Sequence, residues 1–153
     1  MTFKSAKELK SYILKKSESA MIQAQSKVYQ IVNTFVKEFY AGYSPVQYER
    51  TYQLYQSLIK SDIQIIGNSV TATVYFDASR LDYYMKMVNG KEYPNHGWSA
   101  ETVLNVTMTS GSPHGGYSPA GGNGIYLEAI AKLNQEAIKV LKDSLISAGI
   151  PIR

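Results

Sequence analysis

From Ser5 to Tyr40 apolar residues recur at Leu9, Ile13, Ala20, Ala24, Val28, Ile31, Phe35 and Phe39, with polar residues at most positions between them. A spacing near 3.6 residues lines these side chains up on one face, so this stretch reads as a single long amphipathic helix. Such a helix is stable only if something covers its stripe, and the rest of the chain must supply that layer. Ser17–Ser19 interrupt the stripe with small polar residues and mark the place where the helix would fray or bend.

Gly42 follows the last periodic residue as a stop. Ser44-Pro45-Val46-Gln47 then offers an N-cap serine, a proline at the first helical position and a glutamine at the third, which starts a short helix running to about Tyr55. From Leu58 to Ile66 the pattern shifts to alternation, with Ile63 and Ile65 opposite Asp62 and Gln64. Gly67-Asn68-Ser69 punctuates it, and Val70–Phe76 is β-branched and aromatic, so the pair reads as a β-hairpin. Residues 77–98 hold several turn signals and are expected to form an extended or partly helical excursion. Ser99 can cap a short helix through Met108, although Val103, Val106, Thr107 and Thr109 also suit a strand; helix is preferred.

Ser110–Gly124 holds six of the 11 glycines with Pro113 and Pro119, and must be a loop. Beyond it Leu127, Ile130, Leu133, Ala137, Leu141 and Leu145 set the buried stripe of a C-terminal helix that ends at Ala148-Gly149-Ile150-Pro151. Two long helices and a hairpin must bury their apolar faces together. The expected fold is α+β: N- and C-terminal helices packed on a small antiparallel sheet, with a short helix after Ser44.

Length and composition bound what this fold can do. The 153 residues, 44% of them hydrophobic, suit one domain spanning 1–153. With no cysteine there is no disulfide, thiolate metal site or cysteine nucleophile. No apolar run approaches the roughly 20 residues needed to cross a bilayer, and the Lys-rich start lacks a signal peptide's apolar stretch, so synthesis in the cytoplasm and no membrane partner are expected. Lys4, Lys7, Lys10, Lys15 and Lys16 against Glu8 account for the whole formal charge of +4, and the remainder balances 11 basic with 11 acidic groups. These lysines read as the solvated face of the first helix, and nucleic acid is at most an incidental partner. Of 18 aromatic residues 13 are tyrosine, and Tyr40, Tyr43, Tyr48, Tyr52 and Tyr55 cluster within 16 residues. A ring with a hydrogen-bonding tip suits a partly wet interface and a small core equally well.

No constellation specifies catalysis. Gly121-Gly122-Asn123-Gly124 runs into a helix without the Lys-Ser/Thr pair of a phosphate loop. His96 and His114 stand apart in turn-rich segments, with only scattered acids such as Glu92 and Glu101 to join them at a metal. Asp77 and Asp82 beside Arg80 form a possible carboxylate pair, and more simply are loop acids balanced by a base. Asn105-Val106-Thr107 is a glycosylation sequon without consequence in a chain read as cytoplasmic. A non-enzyme without metal or cofactor is expected.

The segment Tyr43-Ser44-Pro45-Val46-Gln47-Tyr48-Glu49-Arg50-Thr51-Tyr52-Gln53-Leu54-Tyr55-Gln56-Ser57-Leu58 carries a likeness. It resembles the Tyr-x-Arg-Thr-x-x-Leu-x-x-Ser-Ile pattern that follows the first helix in a family of small virion proteins of long-tailed bacteriophages. These are minor neck or tail-completion components. Trp98 and His114-Gly115-Gly116 resemble a Trp-led segment and a His-Gly-Gly loop that precede the last helix in relatives. Family members commonly carry glycine after the Arg-Thr pair, where this chain has Tyr52.

The resemblance implies a head-to-tail joining or tail-completion protein of the virion, an adaptor that binds other neck and tail proteins and forms a ring-shaped homo-oligomer. Segments 77–98 and 110–124 are then expected to be mobile in the free protein and to order on assembly. The candidate interface comprises Tyr48, Arg50, Tyr52, Tyr55, Trp98, His114, Gly115 and Gly116. Arg50 suits bidentate contacts, Thr51 and Ser57 suit backbone hydrogen bonds, and Leu54 suits anchoring on the sheet. The alternative is a small nucleic-acid-associated protein that uses the Lys-rich helix and exposed tyrosines to bind phosphate and stack bases.

Overall fold

The computed structural model describes residues 2–41, 52–81, 85–86, 92–93, 99–110 and 125–152. In chain order the elements are helix α1 (Ala6–Ala41), helix α2 (Gln53–Ser57), strands β1 (Leu58–Lys60), β2 (Gln64–Ile66), β3 (Ser69–Thr71) and β4 (Val74–Phe76), a 3-10 turn at Ala78–Arg80, strands β5 (Met85–Lys86) and β6 (Glu92–Tyr93), and helices α3 (Ala100–Ser110) and α4 (Ile125–Ser147). The α+β class expected from the sequence is the class observed. The described strands pair two by two, as β1–β4, β2–β3 and β5–β6, rather than forming one sheet. The chain divides into two compact units. One comprises Met1–Gln30, Lys60–Tyr75 and Leu133–Arg153, and the other Ile31–Ile59 and Phe76–Lys132.

Local chemistry explains where the helices begin and end. Ser5 accepts the first intrahelical bond from the Leu9 N–H at 3.1 Å, and its hydroxyl accepts the Glu8 N–H at 3.2 Å. The Glu8 carboxylate reaches back to the Lys4 N–H at 2.8 Å, so donors left over at the helix start are satisfied reciprocally. All 36 residues of α1 are helical, including Ser17–Ser19, where a bend had been expected. Ser17, half-buried on the face of Ala20, and the exposed Ser19 both leave the backbone ladder intact. The helical reading of the segment after Ser99 also holds: Ser99 Oγ caps α3 by accepting the Thr102 N–H at 3.1 Å. α4 ends in a Schellman motif, with Gly149 at φ 88°, its N–H on Ile146 O and the Ile150 N–H on Leu145 O, both at 2.9 Å. The expected helix start at Ser44 lies outside the described residues, and α2 as described begins only at Gln53.

In the first unit the hairpin is anchored to α1 by one buried amide. β2 and β3 pair antiparallel with Ile66 opposite Ser69, which leaves a two-residue turn. Gly67 sits at φ 63° and Asn68 on the ordinary side, the type II′ signature that matches the twist of the strands. One end of the ladder pairs Gln64 with Thr71, yet beyond it the Ser61 N–H meets Thr73 O at 2.9 Å. The earlier strand thus spends one more residue than its partner, a bulge at 61–63. At the bulge Ser61 Oγ, rather than its carbonyl, accepts the Thr73 N–H at 2.9 Å. The freed Ser61 carbonyl and the Thr73 carbonyl both accept from Gln25 Nε2, at 2.9 and 3.0 Å. Gln25 is only 8% exposed and lies beside Ala24 and near Ala20, whose small side chains let α1 approach.

The second unit has its own core, where Val36 and Met108 are buried among Phe35, Phe39, Tyr40, Leu54, Phe76 and Leu104. The most buried apolar residues of α1 are Ala20 and Ala24 in the first unit and Val32 and Val36 in the second, where the buried line falls one residue beyond the expected Ile31 and Phe35, which are half-buried.

The buried face of α4 differs from the expected one. Its most buried positions are Ala129, Ser144 and, just past its end, Ala148, while Leu127 is 49% and Leu141 41% exposed. Small side chains are the most deeply buried, Ile130, Leu133 and Leu145 of the expected face are half-buried, and Ala137 is exposed. The Ser144 hydroxyl satisfies itself on the Val140 carbonyl at 2.7 Å.

Two stability outcomes follow. Gln25→Leu keeps the volume but strands the Ser61 carbonyl, and should cost about 1–3 kcal/mol in urea unfolding. Leu141→Ala should cost less than about 1 kcal/mol, because that side chain keeps much of its water. Equal midpoints for the two variants would place the amide outside the fold's critical contacts.

Candidate functional site

The residues singled out by sequence fall into two groups. Tyr48, Arg50, Thr51, Trp98, His96, Asp82, His114, Gly115 and Gly116 lie outside the described residues. Tyr52, Leu54, Tyr55 and Ser57 are described, and the second unit brings them together around α2.

α2 is too short to hold itself and is fixed by its surroundings. Leu54 packs into the Val36 and Met108 cluster. Ser57 is fully buried, and its hydroxyl donates to Leu54 O at 2.8 Å. Its carbonyl accepts the Asp77 N–H at 2.8 Å, and Gln56 O accepts from an Arg80 guanidinium nitrogen at 3.4 Å. Leu54 and Ser57 thus serve packing and backbone pairing, as their residue types suggested. Tyr52 and Tyr55 turn outward from the same turn, 52% and 37% exposed.

Tyr52 carries the one positive φ among described non-glycine residues, 57° with ψ 17°. This is the left-handed region, which costs a residue bearing a Cβ roughly 1–2 kcal/mol relative to glycine. It is also the position where the resembling phage proteins carry glycine. A glycine there would adopt this conformation without strain. A ring contact offsets part of the strain: Tyr52 lies 5.1 Å from Tyr40 at a tilt of 42°, and Tyr40 in turn meets Phe39 edge-on at 5.8 Å. Three aromatic rings joined by two contacts lead from the core outward to an exposed phenol.

Asp77 closes the lower side of this arrangement. One carboxylate oxygen accepts the Ser79 hydroxyl at 2.6 Å and the Ser79 N–H at 3.1 Å, and the other accepts Arg80 Nε at 3.2 Å. The Ser79 hydroxyl first, then the Ser79 N–H and the Arg80 guanidinium, hold its carboxyl below the ordinary aspartate value. The simple reading of Asp77 as a loop acid balanced by Arg80 is the one the geometry bears out. Sequence spacing gave no sign of the Ser79 contacts or of the ring pair with Tyr40.

Among the described residues no group of three His, Asp or Glu side chains could hold a metal ion, and no helix is long and apolar enough to cross a membrane. What the described surface does offer is apolar contact area on ordered elements. Besides the tyrosines, Ile138 on α4 is 83% exposed and Ile66 on β2 67% exposed.

Two further outcomes are expected. Tyr52→Gly loses the ring contact but relieves the backbone, and should leave stability within about 1 kcal/mol, whereas Tyr52→Val keeps the strain without the ring and should be clearly less stable. Because the folded Asp77 pKa lies below its unfolded value, its contribution is present above the unfolded value and lost as pH falls through the folded one. The gap between wild type and Asp77→Asn in urea midpoint should thus be open near pH 6 and close in strong acid; a gap independent of pH would contradict the carboxylate's role.

No curated protein and no solved structure matches the chain at a significant level. The YomN family profile, in contrast, matches residues 5–147, from the cap of α1 to the last residue of α4. With nearly the whole chain covered, the protein belongs to the YomN family, a membership that points to a phage-associated protein.

Proposed function

We propose that the chain is a structural virion protein that joins or completes the head–tail interface of a tailed phage, acting by protein–protein assembly without catalysis or a cofactor. One observation carries this reading. Large apolar side chains stand in water on regular secondary structure of the first unit, Ile138 on α4 and Ile66 on the hairpin, and in the second unit half of Tyr52 beside α2 stays exposed. Scattered single exposures are ordinary, but elements that keep several large ones suit repeated contact with other subunits. Membership of a phage-associated family and the Tyr48–Leu58 motif agree with it. The partners are other neck and tail proteins and further copies of the chain in a ring.

In this role the protein is an adaptor. α1 and α4 give stiffness, and the tyrosines near α2 offer rings with polar tips for surfaces that stay partly wet. The parts of 77–98 beyond the turn at Ala78–Arg80, and 110–124 with His114-Gly115-Gly116, are the segments proposed to adapt to the neighbouring ring.

Ile138→Asp tests the proposal, since a surface change at this exposure should alter folding stability by no more than about 0.5 kcal/mol. In complementation of a phage lacking the gene, the expected result is soluble variant protein with filled heads and free tails that do not join. Normal infectious yield from Ile138→Asp together with Tyr52→Ala would overturn the interface, and steeply salt-dependent DNA binding by the wild type would favour the nucleic-acid reading.

A further inference from the structure

We propose that the first turns of α1 and the β2–β3 turn form a docking groove for an acidic amphipathic helical segment of another protein. This docking role is independent of the head–tail reading. Ala6, Leu9, Lys10, Ile13 and Leu14 line the groove from α1, and Asn68 of the hairpin turn forms its far wall. Their spacing is that of one helical face meeting another, i, i+3, i+4, i+7 and i+8. The same face of α1 is fully covered two turns later at Ala20 and Ala24, yet Leu9 stays 40% and Ile13 45% exposed. The packing stripe continues past the point where the first unit covers it.

The groove holds about 250 Å³. That is below the roughly 300–1,000 Å³ of ordinary small-molecule sites, and the lining is mostly apolar, with Lys10 and Asn68 its polar members. An extended apolar strip with a wall fits the ridge of a helix.

Charge selects the occupant. Lys10 stands in the groove itself, with Lys7 and Lys15 exposed nearby. Glu8, the one acid among residues 1–16, is held by the Lys4 N–H at the helix start. The first unit as a whole carries ten basic and five acidic side chains, the second six and seven. Glutamates flanking an apolar ridge would meet lysines that form no ion pair among the described residues, and attraction of that kind speeds encounter and sets orientation. A flat anionic membrane would meet the same charge but would leave the wall at Asn68 without use.

The test uses the full chain and a labelled synthetic peptide about 18 residues long, with leucines at every third or fourth position and glutamates beside them. Fluorescence anisotropy should show saturable binding that weakens with salt. Ile13→Glu should raise the half-saturation concentration at least about tenfold, and Lys7→Glu with Lys10→Glu several-fold, because one removes the apolar anchor and the other the charge. Circular dichroism checks that each variant keeps its helicity, and the lysine pair, fully on the surface, still decides the matter if Ile13→Glu fails to fold. Equal binding of a peptide with lysines for glutamates, unchanged binding by the lysine pair, or no binding of the acidic peptide would overturn the proposal. So would capture of the wild type by phosphatidylserine vesicles, or self-association, that Ile13→Glu abolishes while the peptide stays unbound.

Discussion

The amide of Gln25 is the interaction on which the first unit depends. A hairpin with three-residue strands has little of its own to stand on, and an isolated two-stranded ribbon is marginal in water. Here the bulge at 61–63 breaks the ladder and exposes two carbonyls, and a single buried side chain on α1 answers both. Neither half makes sense alone. Without the bulge the Ser61 carbonyl would belong to the Thr73 N–H, and without Gln25 the bulge would leave a buried acceptor unsatisfied. Ser61 completes the exchange by lending its hydroxyl to the strand in place of its carbonyl.

Around α2 the second unit solves a different problem, how to hold one turn of helix in place. Burial of Leu54, the serine bond of Ser57 and the clasp of Asp77 on Arg80 and Ser79 fix its far end. The near end is fixed by a backbone conformation that a tyrosine resists. Holding it there requires the rest of the unit to be rigid, and the tilted contact with the Tyr40 ring provides part of that support. An exposed ring fixed in this way loses little further freedom when a partner covers it.

Much of the fold was legible because its signals are periodic or positional. The helical period of α1, the serine before α3 and the Gly149 stop of α4 are local chemistry that any context would read alike, although the deepest side of α1 in the second unit runs through Val32 and Val36 rather than Ile31 and Phe35. What escaped is chemistry that appears only when distant residues meet. Gln25 on a helix face looks like a solvent-facing glutamine until the Ser61 and Thr73 carbonyls stand opposite it. On α4, size was a misleading guide: Leu127 and Leu141 look like core, but close approach favours Ala129, Ser144 and Ala148. The helix is therefore rotated relative to the face its large residues suggest. At the candidate interface, Leu54, Tyr55 and Ser57 were readable from residue type, while the left-handed backbone at Tyr52 has no signature in a tyrosine and was visible only as a glycine in resembling proteins.

The interleaving of the two units has a consequence for how the chain is made. Unit membership alternates along the sequence, and the first unit draws on residues at both ends of α1's partner set, 60–75 and 133–153. As a ribosome releases the chain, the second unit has all its segments by Lys132, whereas the first must wait for the residues that follow. The uncovered stripe of early α1 is thus in solution, helical or not, throughout most of synthesis. Lysines along it keep that stretch soluble during the wait, so the charge that would later select a partner also guards the nascent chain against premature association.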